Sequence, residues 1–553
     1  MISKNGGQRL KALARPSPLV PMKEMKKGAS LAIVWIALVC CKAFGSGPIV
    51  WVVPSSLHRV GPTAAPGIRT DVLIRAARGE YESFQVAVQA PCGGLTDVNF
   101  SVSDLVGPGG AVISHKNLIQ YREWFITVRQ HSPTYNGPPN LPITSVNTFP
   151  DALIPFIDPA TGKPPVEGDF RAVPFDLVAR YNAVIWVDVF VPRGPTAGQY
   201  RSTYPVTSDQ GTFEGQIRVH VWGFTLPLEP SLKSSFNGGN ITLPGINEEL
   251  LRNRLMPDAV DPAAEKNFIE RYGLNGTDLG FYDGVFYGQC DASEPPSVQV
   301  IESAKATHQP DLYLYDDSAD PESSCASPLF YRSVIAWAQN LHRAGIDNLV
   351  TQEPVPQLYD DGLGTGRSAV DIWTMLPLAY NDAQSFSPPR VTYVLQKGDQ
   401  AWSYNDLVQE NYSPKWELDF LPINYRIQPG FINQSLGLTG LLYWSVDDWS
   451  SRPWTDPQGK QNPGYPGEGV LVYPGMPAGL KGVAPSMRLK YLRDGVEDYE
   501  YVQLLKNCGQ GTFALAEARK VGPDWTNWTR DASLLESVRE QLGDQIAASN
   551  CAP

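Results

Sequence analysis

At 553 residues, with 42% hydrophobic and 18% charged side chains, the chain has the composition of a globular protein long enough for two large domains and an appendage. A formal net charge of −12 excludes a nucleic-acid partner, which requires basic surface to neutralise phosphates. Forty-nine Gly and 49 Pro point to many turns rather than long helical arrays.

At the N-terminus, Lys26 and Lys27 precede the apolar run "SLAIVWIALVCC", and small residues follow in "AFGSG". This is the pattern of a secretory signal, predicted over residues 1–45, with the start at Met1, Met22 or Met25 and the exported form beginning near Ser46. The run is about a dozen residues, too short to cross a bilayer comfortably, so no stable transmembrane span is expected. Secretion or release into a periplasm follows. A lipid anchor on Cys40 or Cys41 is the alternative, although the small residue that usually precedes such a cysteine is missing. Cleavage after Gly45 leaves 37 basic against 56 acidic residues.

Five cysteines then remain, Cys92, Cys290, Cys325, Cys508 and Cys551, and an odd count leaves one outside any internal pair. Cys508 and Cys551 flank a short C-terminal helical segment and form the predicted bridge. There is no CxxC, no HExxH and no histidine cluster, so neither a metal nor a cofactor is expected.

Residues 46–229 alternate short β-rich runs with Gly/Pro breaks. "YESFQVAVQA", "YNAVIWVDVFVP", "GQYRSTYPVTS" and "GQIRVHVWGFTLP" each show period-two patterning, and together they predict an N-terminal β-sandwich domain. From 230 to 506 the pattern changes to strands alternating with helices. "SLKSSFNG", "DNLVTQ", "VTYVLQ" and "GLLYWSVDDW" read as strands, "AVDIWTMLPLAY" as another unit and "PLFYRSVIAWAQNLHRAG" as a helix with a glycine stop. Such alternation over roughly 270 residues predicts a (β/α)8 TIM-type barrel, for which about 250 is usual. "SMRLKYLRDGVEDYEYVQLLKN" is helical, and 507–553 forms a short C-terminal helical segment.

The barrel reading bears on "LYLYDDSADPES", where a strand runs into Asp316 and Asp317. Adjacent acids repel. One explanation is a solvated connection in which an Asp caps the helix after Pro328. In a TIM barrel, however, catalytic groups sit where strands end, and this is a strand end.

"ARGEYESFQVAV", "WVDVFVPRGPTAGQY", "YLYDDSADPES", "GLLYWSVDDW" and above all "RLKYLRDGVEDYEYVQLL" resemble glycoside hydrolase family 123 and the related proteins carrying domain of unknown function 4091. The resemblance covers most of the chain after the signal. It implies an exported β-N-acetylgalactosaminidase that acts on a carbohydrate substrate by substrate assistance with retention. In that chemistry the sugar's 2-acetamido oxygen attacks the anomeric carbon, an Asp polarises the acetamide, and an adjacent Glu protonates the leaving oxygen and later activates water. The two acids need different protonation states.

Carried over by resemblance, the catalytic pair is Asp316 and Asp317, although the family motif Asp-Glu-Pro here reads Asp316-Asp317-Ser318. The shorter Asp317 leaves Glu353, in "TQEP", as an alternative acid. Trp402, Tyr404, Tyr443, Trp444, Asp447 and Trp449 are the expected sugar-binding residues, since a pyranose needs flat apolar faces and hydrogen-bonding acids. Arg493, Glu497 and Asp498 belong to a buried polar network, and Glu80 and Glu82 are structural. Two other functions stay open on these residues: a carbohydrate-binding protein that has lost turnover, and a hydrolase of a non-acetamido glycoside with a conventional acid and base.

Overall fold

Period-two patterning builds the first part of the chain. The computed structural model describes residues 47–133, 142–238, 243–377, 388–407, 412–549 and 551. The predicted signal, its cleavage point and Cys40 and Cys41 lie outside them. Strands Ile49–Val52, Glu80–Gln89, Asn182–Val191, Leu118–Thr127 and Thr148–Pro155 form one antiparallel sheet in that order. A second sheet runs Val72–Arg78, Gly211–Thr225, Gly198–Ser208, Leu95–Phe100, Phe175–Leu177. Along Gly198–Ser208, Tyr200, Tyr204 and Val206 are buried at every second position, as a half-buried strand demands. They meet Val86, Val88, Ile185 and Val187 of the first sheet in one core.

The second part is built around a parallel sheet. Its order is Lys233–Phe236, Gly440–Tyr443, Gln400–Tyr404, Ile372–Met375, Asp347–Val350, Leu314–Ala319, Thr277–Asp278. Residues 256–258 lie between its two edges: Phe236 N donates to Met256 O at 3.0 Å, Asp258 N to Phe236 O at 3.1 Å and Asp278 N to Asp258 O at 2.8 Å. The result is a near-closed parallel barrel. Tyr315, Leu349, Ile372, Trp402, Tyr404 and Leu442 fill its interior. Ala319, Val350 and Trp373 face outward onto Phe330, Val334 and Ala338 of helix Pro328–Arg343 and Val394 of helix Pro388–Lys397.

Two local expectations are corrected. "VTYVLQ" is β-rich in composition but lies in helix Pro388–Lys397. Its buried Val391 and Val394 are three apart, and Pro388 and Pro389 suit a helix start, so helical spacing overrides strand propensity. The cap of helix Pro328–Arg343 is Ser327, whose Oγ accepts from Phe330 N at 3.1 Å, rather than an aspartate.

Helix Met487–Asn507 is buried on every side over most of its length, and most of its charged side chains meet polar partners. Arg488 makes a two-pronged contact with Asp151, both distances 2.9 Å. Arg493 pairs with Asp188 at 3.0 Å, and Lys490 reaches Asp188 and Glu249 at 3.4 and 3.2 Å. Asp498 receives Arg426 at 2.7 and 2.9 Å, and Glu497 accepts from Tyr81 N at 3.1 Å. Arg539 binds Glu80 and Glu82 at 2.6 and 2.8 Å, consistent with a structural part for both. A Cβ on Gly495 would stand 2.4 Å from Arg426 O, so this helix approaches its neighbour at backbone distance.

Disulfides join Cys508 to Cys551, as expected, and Cys290 to Cys325, which the sequence reading left unpaired. Cys92 lies outside both bridges. Among the described residues no helix is long and apolar enough to cross a membrane.

Removing one partner of a fully buried ion pair strands the other charge. Arg488→Met is therefore expected to lower unfolding free energy by about 3–5 kcal/mol in urea melts. Arg218→Ala, which breaks an exposed pair with Asp71 at 3.2 Å, is expected to change it by less than about 1 kcal/mol. Equal effects would show that the buried pairs do not hold the fold. Alkylation without reductant should leave Cys290, Cys325, Cys508 and Cys551 unlabelled; peptide mapping that found any of them modified in folded protein would refute the bridges.

Candidate active site

Strand Leu314–Ala319 carries the acids singled out in the sequence. Neighbouring side chains on a strand face opposite ways. Tyr315 packs inside the barrel, so Asp317 shares its face and Asp316 does not. Asp316 is fully buried, with Oδ1 accepting from Phe281 N at 2.9 Å. Burial pushes its carboxyl up to about 7, and Asp258 and Asp283 add to the rise. The expected side-by-side pair is thus split between two faces of the sheet.

A bulge then changes the alternation. Asp317 pairs with Leu349, but the next partner, Val350, pairs with Ala319, so Ser318 is an extra residue. One extra residue reverses the facing of all that follow. Ala319 joins Val350 in the core outside the barrel, and Asp320 turns back to the interior side. There Thr351 Oγ1, just beyond strand Asp347–Val350, donates to Asp320 Oδ1 at 2.6 Å. Glu322 and Ser323 follow with φ of 46° and 60°, a left-handed conformation that costs on the order of 1–3 kcal/mol per residue and persists only when the surroundings impose it. Glu322 N donates to Thr351 Oγ1 at 3.0 Å and Ser323 N to Thr351 O at 3.0 Å. The Cys290–Cys325 bridge holds the turn from its other side.

Glu322 meets the end of another strand. The hydroxyl of Tyr404, last residue of Gln400–Tyr404, donates to Glu322 Oε1 at 3.3 Å. Two residues on, Asp406 is hydrogen-bonded to the carboxyls of both Glu322 and Glu468. Glu468 comes from the segment after the last barrel strand and accepts from Trp444 Nε1 at 2.7 Å and Tyr443 Oη at 3.3 Å.

Carboxyls in contact must share protons. Burial, helped by Asp406 and Asp320, pushes Glu322 up to about 9. Burial and then Asp406 push Glu468 well above the carboxylate range. Asp406 is raised by burial too, while hydrogen bonds from Leu407 N and its two neighbours favour its charge. Burial raises Asp320 only to about 6, because the Thr351 hydroxyl opposes it. At neutral pH Asp320 is therefore mostly ionised and Glu322 carries a proton. Asp317 lies beside them, held well above the usual range by burial and then by Asp320, Asp278 and Asp258, with its N–H on Asp278 Oδ1 at 2.9 Å.

Of the expected site residues, Tyr404, Tyr443 and Trp444 are hydrogen-bonded into this carboxyl cluster and Asp317 lies beside it, Tyr404 and Tyr443 themselves being fully buried. Trp402 does not present its ring there: it is fully buried, edge-on to Tyr315 at 5.7 Å, with Nε1 on Gln400 Oε1. Trp449 donates to Val472 O at 2.8 Å and packs against the two largest cores. Asp447 is buried in a bridge with Val470. Glu353 is buried behind the turn, its N–H on Ser323 Oγ at 3.4 Å and its charge felt, with that of Arg390, at Tyr331.

Sequence reasoning missed Asp320, Glu322, Asp406 and Glu468. One signal was present. An acid-proline step, Asp320-Pro321, stands three residues after Asp317-Ser318 and could have drawn attention to this turn. Among the described residues no group of three or more His, Cys, Asp or Glu side chains is arranged to hold a metal ion.

Residues 419–505 match the family model described as glycoside hydrolase 123, catalytic domain. The match spans the last barrel strand, Glu468 and most of the buried helix Met487–Asn507. Among solved structures, the chain is similar to a family 123 glycoside hydrolase from Clostridium perfringens, determined in a study of glycolipid glycan hydrolysis. The two are 11% identical with a TM-score of 0.60 over 91% of this chain and 99% of that one, a likeness of fold. β-Glucuronidases from Parabacteroides merdae (8% identity, TM-score 0.28, 76% of this chain and 50% of that one) and Bacteroides uniformis (9%, 0.24, 78% and 50%) superpose too loosely to carry an argument. No curated protein matches the chain. One segment of the chain, residues 419–505, thus matches the catalytic-domain model of glycoside hydrolase family 123, and the fold is shared with a member of that family.

Proposed function

We propose that this protein is an exported family 123 glycosidase that hydrolyses β-linked N-acetylgalactosaminides with retention, the substrate's own acetamide acting as nucleophile. The barrel is read as a (β/α)8 type carrying an N-terminal β-sandwich; the hydrogen-bonded segment at 256–258, which supplies an eighth position between the edges of a seven-stranded sheet, supports this. The two disulfides support export, since such bridges persist in oxidising compartments.

The observation that carries the mechanism is a pair of carboxyls on one turn in different hydrogen-bond settings, Asp320 on the Thr351 hydroxyl and Glu322 on the Tyr404 hydroxyl and Asp406. Asp320 and Glu322 occur in the chain order that acetamido assistance needs, with Pro321 between them. In the first step the acetamide oxygen bonds to the anomeric carbon as the glycosidic C–O bond breaks, and the Glu322 proton passes to the leaving oxygen. Ionised Asp320 stabilises the positive charge that grows on the acetamide nitrogen. In the second step Glu322, now a carboxylate, takes a proton from water as the water oxygen bonds to the anomeric carbon, and the acetamide re-forms. Two inversions give retention. Tyr404 and Asp406 hold Glu322 in place, and Trp444 lies beside them on Glu468.

Nitrophenyl N-acetyl-β-galactosaminide should be cleaved and nitrophenyl β-galactoside, which lacks the acetamide, should not; equal turnover of both would reject substrate assistance. The pH profile of kcat/KM is expected to rise through about 6 as Asp320 ionises and fall through about 9 as Glu322 loses its proton. Glu322→Gln should slow glycans with alkyl leaving groups by about 10²–10⁴-fold and nitrophenyl glycosides far less, since nitrophenolate leaves without a proton. A uniform loss across leaving groups would take the acid role from Glu322.

A further inference from the structure

We infer that Thr351 is a positioning residue for both reacting acids, a single hydroxyl that sets the charge of one and the place of the other. The inference rests on the roles proposed for Asp320 and Glu322. Thr351 is 1% exposed and immediately follows strand Asp347–Val350. Its hydroxyl is used in both senses. The proton goes to Asp320 Oδ1 at 2.6 Å, and the oxygen accepts from Glu322 N at 3.0 Å. The backbone closes the same loop: Thr351 N donates to Ala319 O at 3.2 Å and Thr351 O accepts from Ser323 N at 3.0 Å.

Two consequences follow. A hydrogen bond donated to a carboxylate favours its ionised form, so the hydroxyl keeps Asp320 charged in a buried setting that would otherwise protonate it. A hydroxyl that receives the Glu322 N–H also fixes a residue whose φ of 46° has no intrinsic preference to keep it there. The side chain need not touch the sugar. It ties the end of one barrel strand to the turn that leaves its neighbour, across the bulge at Ser318 that turns Asp320 inward.

The test uses Thr351→Val, which keeps the shape and removes the hydroxyl, and Thr351→Ser, which keeps the hydroxyl. The substrate is nitrophenyl N-acetyl-β-galactosaminide. In Thr351→Val the acid limb of the kcat/KM profile should move up by about one pH unit, and kcat should fall more than KM rises, by tenfold or more below pH 6. Thr351→Ser should return the limb to its wild-type position. If Thr351→Val does not fold by circular dichroism, Thr351→Ala poses the same question in a smaller side chain. A folded valine or alanine variant with an unmoved acid limb overturns the inference, as does a serine variant that fails to restore it. Asp320→Asn separates the layers: if it hydrolyses as fast as wild type, the catalytic reading itself falls, whereas an inactive Asp320→Asn beside an unchanged Thr351→Val defeats only the part given to Thr351.

Discussion

Everything in the molecule leans on the burial of one charged helix. Met487–Asn507 places Arg488, Lys490, Arg493 and Asp498 where water cannot reach, and an unpaired charge there would cost several kcal/mol. Each is met by a group from elsewhere: Asp151 and Asp188 from the first sheet, Glu249 and Arg426 from the barrel part, Arg539 from the last helix. Such pairs contribute little net attraction over a greasy core of equal shape, but they work only in one register. The helix thereby fixes how the sheets, the barrel and the C-terminal helices meet, and the segment matched to the family model, residues 419–505, includes most of it.

At the candidate site the deciding feature is smaller. A single extra residue, Ser318, reverses the facing of the strand and delivers Asp320 to the side already occupied by Asp317. The turn that follows would relax if left to itself, since Glu322 and Ser323 both hold positive φ. It is held by Thr351 and by the Cys290–Cys325 bridge. Constraint of this kind is what keeps two acids of different protonation within one short segment, where a flexible loop would let their environments average.

Much of the fold was legible in the residues. Period two in "GQYRSTYPVTS" and "GQIRVHVWGFTLP" marked sheet strands because their outer faces meet water, and the glycine after "PLFYRSVIAWAQNLHRA" marked a helix end because φ is positive there. "VTYVLQ" misled because composition and spacing disagreed. The site was harder to read. A bulge leaves no mark in side-chain type, so facing could not be followed past Asp317. Asp316 drew attention because adjacent acids are conspicuous, yet a strand separates adjacent residues by construction. Asp406 and Glu468 are brought to Glu322 by strands and loops far apart in sequence, and no local pattern announces that meeting.

In the proposed reaction the carboxyl facing the sugar is Asp320, past the bulge, and not Asp316 before it. Calorimetric titration of a thiazoline analogue of the cyclised acetamido sugar into wild type, Asp316→Asn and Asp320→Asn measures this without turnover. The expected result is binding to wild type and Asp316→Asn within a fewfold of each other and a loss of tenfold or more in Asp320→Asn, about 1.4 kcal/mol or greater. Undiminished binding to Asp320→Asn together with loss in Asp316→Asn would contradict the account.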